Sequence, residues 1–474
     1  MILNRENFNL TFLTNLTFVF FPISLILGNF IINANILLFC CLGIFLIKNK
    51  ISILKFDLSL KIFSLFFLTV ILSTCIIFTK SIFLEGYDQS NLVRLIKSIV
   101  YLRFFLLLIL IYFLNQLKIL KFKYFFIVAS VAVLLVSLDI IIQYIFGYNS
   151  LGYKSYSTVH NSGFFGDELI AGGFIQDFAF FSIFCVAILL KQKKNLRFLL
   201  ITTSICVLYL GILFSGNRMP FILFSIGLIL SFLLNKQLRL SIFAGILSFT
   251  IIFGFVLNKD KDLKEWYISY FDNIKKVTSG VTSTIKKISK KDFVVQEKFL
   301  SQKELSEKKK TYNEDKLNKS KIMYFTSTRF YDLGEWKSSY ERLFYTALDI
   351  WKKEKILGNG IKSFRVLCHK FEELSTARQC SNHPHNYYLE ILTDTGIVGI
   401  TLITTIVFIF IFIMYKNLKF MRENSLHSFI LFAAVISLIL EMFPIKSTGS
   451  IFTTNNITYI ILISSIVLSY RRQN

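Results

Sequence analysis

A soluble chain of 474 residues would make two or three domains, but 54% hydrophobic residues and a mean hydropathy of +0.59 exclude that class. The net charge of +24 would point to nucleic acid only if a recognition motif accompanied it, and none does. Lysine far outnumbers arginine in a chain also rich in Phe, Ile and Asn, so the excess reads as compositional and arginine is the more informative cation.

Apolar runs recur at 10–29, 31–47, 60–79, 98–114, 124–145, 169–190, 198–215, 219–234, 240–257, 396–415, 426–443 and 455–470. Each approaches the ~20 residues that a helix needs to cross ~30 Å of hydrocarbon, and none alternates as a barrel strand does. The expectation is an all-α polytopic membrane protein with about 12 transmembrane helices. The first run follows Arg5 without a small-residue cleavage site, so it reads as a retained helix and not a removed signal. With the N-terminus inside, the inner connections carry Lys48, Lys50, Lys55, Lys61, Lys118, Lys121, Lys123, Lys191, Lys193, Lys194, Arg197, Lys236, Arg239, Lys416, Lys419, Arg422, Arg471 and Arg472. The short outer connections hold far fewer cations: Lys80, Arg94, Lys97, Lys154, Arg218 and Lys446. That asymmetry sets the orientation.

Three divisions follow: spans 1–9 over 1–257, one large external loop over 258–390 between spans 9 and 10, and spans 10–12 over 391–474. The loop's first part, 258–325, is rich in Lys, Glu and Ser, with weak helical patterning at Asp262–Ile274 and Lys298–Lys310, and reads as a solvated insert. Its second part, 326–390, regains aromatic, Gly, His and Arg residues, as expected of a folded catalytic subdomain. Charges within spans cost several kcal/mol unless paired or used. Arg103, Asp139 and Glu441 map to outer halves, Asp177 lies near the middle, and Arg218 sits at the outer mouth in Ser215-Gly216-Asn217-Arg218-Met219-Pro220. This one-sided clustering points to a polar cavity open to the outside with Arg103 among its cations, structural ion pairs being the alternative for each.

The most specific string is His383-Pro384-His385-Asn386-Tyr387-Tyr388-Leu389-Glu390, which leads into Leu392-Thr393-Asp394-Thr395-Gly396-Ile397-Val398-Gly399 and holds two of the five histidines. Upstream lie Arg342-Leu343-Phe344-Tyr345, Gly358-Asn359-Gly360, whose glycines permit a tight turn, and Ser363-Phe364-Arg365. The arrangement resembles the O-antigen ligase and polymerase superfamily of membrane glycosyltransferases. Shared features are the many spans, an arginine after a small-residue turn, an arginine-led helix in one large periplasmic loop, a Gly-x-Gly turn, and a His-Asn motif before a Gly-rich helix start. The resemblance implies an inverting, metal-independent transfer of a glycan from a polyprenyl-diphosphate carrier to an acceptor hydroxyl, on lipid A-core or another glycan. It further implies a bacterial inner membrane, an active site facing the periplasm, membrane lipids as surroundings, and no cofactor. The Lys-rich insert departs from the family's compact loop.

The residues fit that chemistry in their own right. Guanidinium forks match a diphosphate leaving group, which assigns Arg218 and Arg342 to it. An acceptor hydroxyl needs a base poised near neutral pH, which assigns His385, with His383 in reserve. Asn386 is expected to orient backbone or substrate, Tyr387 to stack on sugar, and Arg365 to contact substrate more weakly. Plain alternatives are a helix cap for His385, a surface position for Arg342, a lipid-headgroup anchor for Arg218 and a loop salt bridge for Arg365 or Arg378. An external, oxidising loop favours a Cys368–Cys380 disulfide over a zinc site built from Cys368, His369, Cys380 and His383. A repeat-unit polymerase would use the same residues as a ligase. A transporter without chemistry is the reading from another class, and against it stand the absence of two similar halves and the motif-dense external loop.

Overall fold

The computed structural model describes residues 5–48, 50, 55–85, 89–269, 339–372, 378–423 and 425–470. Among these, all extended regular structure is helical. The helices are α1 Arg5–Leu27, α2 Asn29–Ile47, α3 Leu58–Lys80, α4 Gln89–Val100, α5 Leu102–Gln116, α6 Phe122–Phe146, α7 Ala171–Leu189, α8 Lys194–Phe214, α9 Arg218–Leu234 and α10 Arg239–Lys259. After the loop come α11 Ser339–Trp351, α12 Ser363–Glu372, α13 Tyr387–Lys416, α14 Leu418–Met421, α15 Leu426–Glu441 and α16 Thr454–Tyr470. Among the described residues, nine helical segments are long and apolar enough to span a membrane, and three shorter apolar helices, α9, α15 and α16, occupy the other expected spans.

Local chemistry sets the helix ends. Asp57 accepts from the Leu60 N–H to cap α3, Ser425 and Ser428 form a reciprocal capping box on α15, and Gly147 ends α6 at φ 79°. Inside the bundle α7 is buried over most of its length and packs on α6, α8 and α15, while α16 packs on α5 and α13 on α3. Phe178, Phe181 and Tyr459 interlock edge to face at this centre. Without a water-driven attraction between helices in lipid, such close packing is what joins them.

The connections divide between two ends, as the alternating spans require. At one end Gln116 bonds to the backbone of Lys55, and Asn15 to Ile119 and Lys121. At the other, Arg94 meets residues 359–361 and Asn386 meets Pro444. The chain separates into two compact units, Met1–Tyr267 with Tyr340–Asn474, and Ile268–Ser339. Residues 258–267, read from the sequence as the start of the insert, belong to the first unit, where helical residues 261–269 begin with Leu263 and Tyr267 buried. Residues 270–338 lie outside the described residues, and with them the patterning at Lys298–Lys310 and the start of the 326–390 subdomain. What remains of that subdomain, α11, α12 and 378–389, closes its own small core of Leu343, Ala347, Ile350, Phe364 and Cys368.

Candidate active site

The Gly-x-Gly turn and the Gly-rich helix start clasp each other. Gly396 adopts φ 65°, ψ −160°, which breaks the helix of α13 within its first third. The break frees backbone groups that must be paired. Ile397 and Val398 donate to the carbonyls of Lys355 and Ile356, while Asn359 and Gly360 donate to those of Thr393 and Asp394. A Cβ on Gly396 would overlap the Ile356 carbonyl, and one on Gly358 would come within 2.5 Å of the Asp394 carbonyl carbon. The Asp394 carboxylate accepts from Lys362 N at 2.6 Å, Ser363 N at 2.9 Å and Ser363 Oγ at 2.6 Å, holding the start of α12 where the helix dipole favours an anion. Ser73 of α3 donates to the Asp394 carbonyl and accepts from Gly360 N. The lobe of α11 and α12 is thus hydrogen-bonded to a span on both sides of the turn.

His383 and His385 lie beside this clasp, with ring centroids 4.2 Å apart. His385 takes φ 55°, unusual for a residue with a Cβ, and its carbonyl accepts from Thr448 N at 3.1 Å. Its ring meets Tyr340 of α11 edge-on at 5.8 Å. Burial pushes both imidazoles below their ordinary range, a hydrogen bond to the Thr448 backbone opposing it, and the neighbouring His385 helps carry His383 down to about 4. Lowered in this way, His385 keeps its neutral form to lower pH than a free imidazole would. The cap of α13 is Asn386 and not His385: its side chain accepts from Leu389 N at 3.1 Å and donates to the Pro444 carbonyl at 2.8 Å.

Below the histidines lies a buried polar cluster. Glu441 at the end of α15 pairs with Lys446, whose Nζ also reaches Gln176 of α7 at 3.4 Å. Tyr387 donates its hydroxyl to Glu441 at 2.6 Å and is itself buried, so the sugar-stacking role expected of it does not fit its position. Glu390 accepts from Ser450 and Ile451. Asp139 takes Asn149 and Ser150 of the following turn, a structural duty that explains its place toward the end of α6.

Arg218 opens α9 after the Ser215–Asn217 turn. Gly216 at φ 73° has no room for a Cβ against the Val159 carbonyl, and Asn217 accepts from Gly172 N at 3.0 Å. The Arg218 guanidinium lies 3.5 Å over the ring of Trp266, which is held by a bond from its indole N–H to the Gly216 carbonyl and by the His160 ring at 4.7 Å. Burial, and then the Arg218 charge, lower the His160 pKa. Contacts therefore run from Arg218 through Asn217 to Gly172, one turn of α7 (about 6 Å of rise) to Gln176, then Lys446, whose carbonyl accepts from Asn386 beside His385. Replacing Trp266 with leucine would free the guanidinium plane, and a loss of roughly 0.5–1 kcal/mol in thermal unfolding is expected, the usual cation–π contribution.

The remaining expected residues fall differently. Arg342 sits half-buried on α11 two residues from Tyr340, with its Nε lacking a hydrogen-bond partner among the described residues. Arg378 pairs with Asp349 at 2.5 Å, the loop salt bridge. Arg365 is exposed on α12, near enough to His383 to act on its charge. Arg103 bonds to the Val100 carbonyl and to Thr454 at 3.5 Å and packs on Phe104. Cys368 and Cys380 are joined as a disulfide with Cα atoms 5.0 Å apart. Together with His369 they would offer metal-ligating atoms within 4.8 Å of one another, but only as free thiols. Mass spectrometry without reduction is expected to find no alkylatable thiol at either position, and two free thiols would refute the pairing. Sequence reasoning missed Trp266 and His160, which lie far from any motif and reach Arg218 only by folding, and read Asp394 as part of a string without its clasping role.

Residues 203–404 match the family model of the O-antigen ligases. The match supports the superfamily resemblance and indicates a membrane glycosyltransferase of the ligase or polymerase type, in a multi-pass bacterial membrane protein. It spans Arg218, Trp266, Arg342, His383 and His385, and leaves Arg103, Glu441 and Lys446 outside. No curated protein matches the chain significantly.

Proposed function

We propose, from the O-antigen ligase domain over residues 203–404, that this protein transfers a glycan from a polyprenyl-diphosphate carrier to an acceptor hydroxyl, on lipid A-core or a similar glycan, at the periplasmic face of a bacterial inner membrane. The observation that carries the reading is the placing of His385: a strained, half-buried imidazole held between α11 and the 444–448 segment, at the same helix ends as Arg218.

In this mechanism the neutral imidazole of His385 takes the proton of the acceptor hydroxyl as its oxygen attacks the anomeric carbon. The bond from that carbon to the diphosphate breaks on the opposite face, so configuration inverts once and polyprenyl diphosphate leaves with the electron pair. Arg218 and Arg342 take up the charge that grows on the leaving diphosphate. Donors fixed in place around a low-dielectric site are worth several kcal/mol there, because they need not reorganise as charge develops. Trp266 keeps the Arg218 plane in position, and Asn386 sets where α13 begins and hence where His385 points.

The test is a glycolipid profile of cells lacking the protein, complemented with wild type, Arg218→Ala, Arg342→Ala or His385→Ala. Wild type is expected to restore the acceptor-linked glycan and each variant to fail while inserting normally. Full restoration by the variants would remove these residues from the mechanism, and an unchanged profile in the deleted strain would remove the transferase reading. If lipid-linked chains stay long while the acceptor-linked product disappears, the enzyme is a ligase; if they shorten to single units, it is a polymerase.

A further inference from the structure

α4 has two unlike faces. Val93, Ile96 and Val100, spaced i, i+3, i+7, are exposed along one of them, the stripe of a helix lying in a lipid–water boundary. The other closes a pocket of about 360 Å³ against the start of α12. Arg94, Lys97, Lys362 and Arg365 line it together with Gln89, Ser90, Val366 and Val93, which stands at the border of the two faces, and no carboxylate does.

The four cations are not equivalent. Arg94 is buried and committed to the fold: its Nε donates to the Ile361 carbonyl at 2.8 Å, its Nη1 to Asn91 at 2.9 Å, and its Nη2 to the Asn359 carbonyl. Lys97, Lys362 and Arg365 make no ion pair among the described residues. The Lys362 backbone is held at φ 59°, with its N–H bonded to Asp394, beside the opening. Burial lowers the pKa of its ammonium, and the Arg365 and Lys97 charges lower it further, against the pull of Glu390 and Asp394. Like charges gathered around one opening repel until a multiply charged anion enters it. A single carboxylate would leave most of that charge unbalanced, whereas a phosphate or diphosphate offers several acceptor oxygens to a guanidinium and two ammonium groups.

We propose that the pocket between α4 and α12 is a second phosphate-binding site, separate from Arg218 and Arg342, which holds a phosphate group at the level of the lipid headgroups. The proposal stands on this pocket alone and holds whether or not the protein is a transferase. The ligand chemistry is phosphate in either a lipid headgroup or a free diphosphate, and the two sources are separable.

The test uses the full chain in nanodiscs. One arm adds inorganic pyrophosphate to protein in phosphatidylcholine discs and reads thermal stabilisation. The other compares discs with and without phosphatidylglycerol and reads retained lipid by native mass spectrometry. Stabilisation or retention is expected in at least one arm, and the triple variant Lys97→Gln, Lys362→Gln, Arg365→Gln should weaken it at least tenfold, while Lys154→Gln, an external lysine elsewhere, should not change it. A response to pyrophosphate alone assigns free diphosphate, and a response to phosphatidylglycerol alone assigns a headgroup. No response in either arm overturns the proposal, as does a response that survives the triple variant and is lost on Arg218→Ala with Arg342→Ala. If the triple variant does not fold, Lys97→Gln and Arg365→Gln, both at exposed side chains, are read singly, and wild-type binding in both overturns it.

Discussion

His385→Ala is expected to lower kcat for glycan transfer by about 10²–10⁴-fold, the usual worth of a positioned general base, while the donor remains bound. Only the proton-accepting step loses a group, since the diphosphate contacts are assigned to arginines on α9 and α11. The pH profile should show the same residue. Burial draws the His385 pKa down from its ordinary value, so the neutral, proton-accepting form persists to lower pH than a free histidine would allow. The acid limb of kcat/KM is therefore expected below pH ~6.5, and the residual activity of the alanine variant should lack it. A limb unchanged in His385→Ala would refute the assignment. A limb near pH 4 that disappears in His383→Ala would pass the role to His383, whose pKa is about 4.

The largest effect on folding is expected at Gly396→Ala. Its φ of 65° with ψ −160° lies where only glycine is at ease, and the added methyl would overlap the Ile356 carbonyl, a backbone atom that cannot rotate aside. Backbone strain of about 1–3 kcal/mol and overpacking of a similar size together give a loss of about 2–6 kcal/mol. In detergent the variant should unfold well below wild type, or insert without a folded lobe, and its Cys368 and Cys380 should become accessible to thiol reagents under reducing conditions at lower temperature than in wild type. Wild-type thermal stability would show that the clasp is not needed to hold the lobe.

The sequence made the spans legible because length and hydropathy act residue by residue, and a run such as 198–215 needs no partner to be recognised. The same holds for Gly358 and Gly360, whose residue type announces a turn, whereas the cap weighed for His385 belongs to Asn386. What remained hidden depends on partners distant in the chain. Nothing near Trp266 marks it as the platform for Arg218, since the pair forms only when 261–269 folds back on the 215–218 turn. Tyr387 read as a sugar-facing aromatic because its periodicity is compatible with either side of α13, and its bond to Glu441, 54 residues later, decides the matter. Glu441 itself looked like a cavity charge, and Lys446 close by in the chain neutralises it.

The clasp between Gly358–Gly360 and Thr393–Val398 has a metric consequence. Opening it would strip several backbone donors and acceptors of their partners, so a hinged motion of the lobe is expected to be costly. On the proposed function, the histidines would then keep one height above the spans. For reactants tethered to lipids, the distance from tether to reacting atom then becomes a selection rule: a sugar standing at that height meets the imidazole, and one held shorter or longer passes beneath or above it. The protein would act as a ruler, discriminating by length before it discriminates by shape.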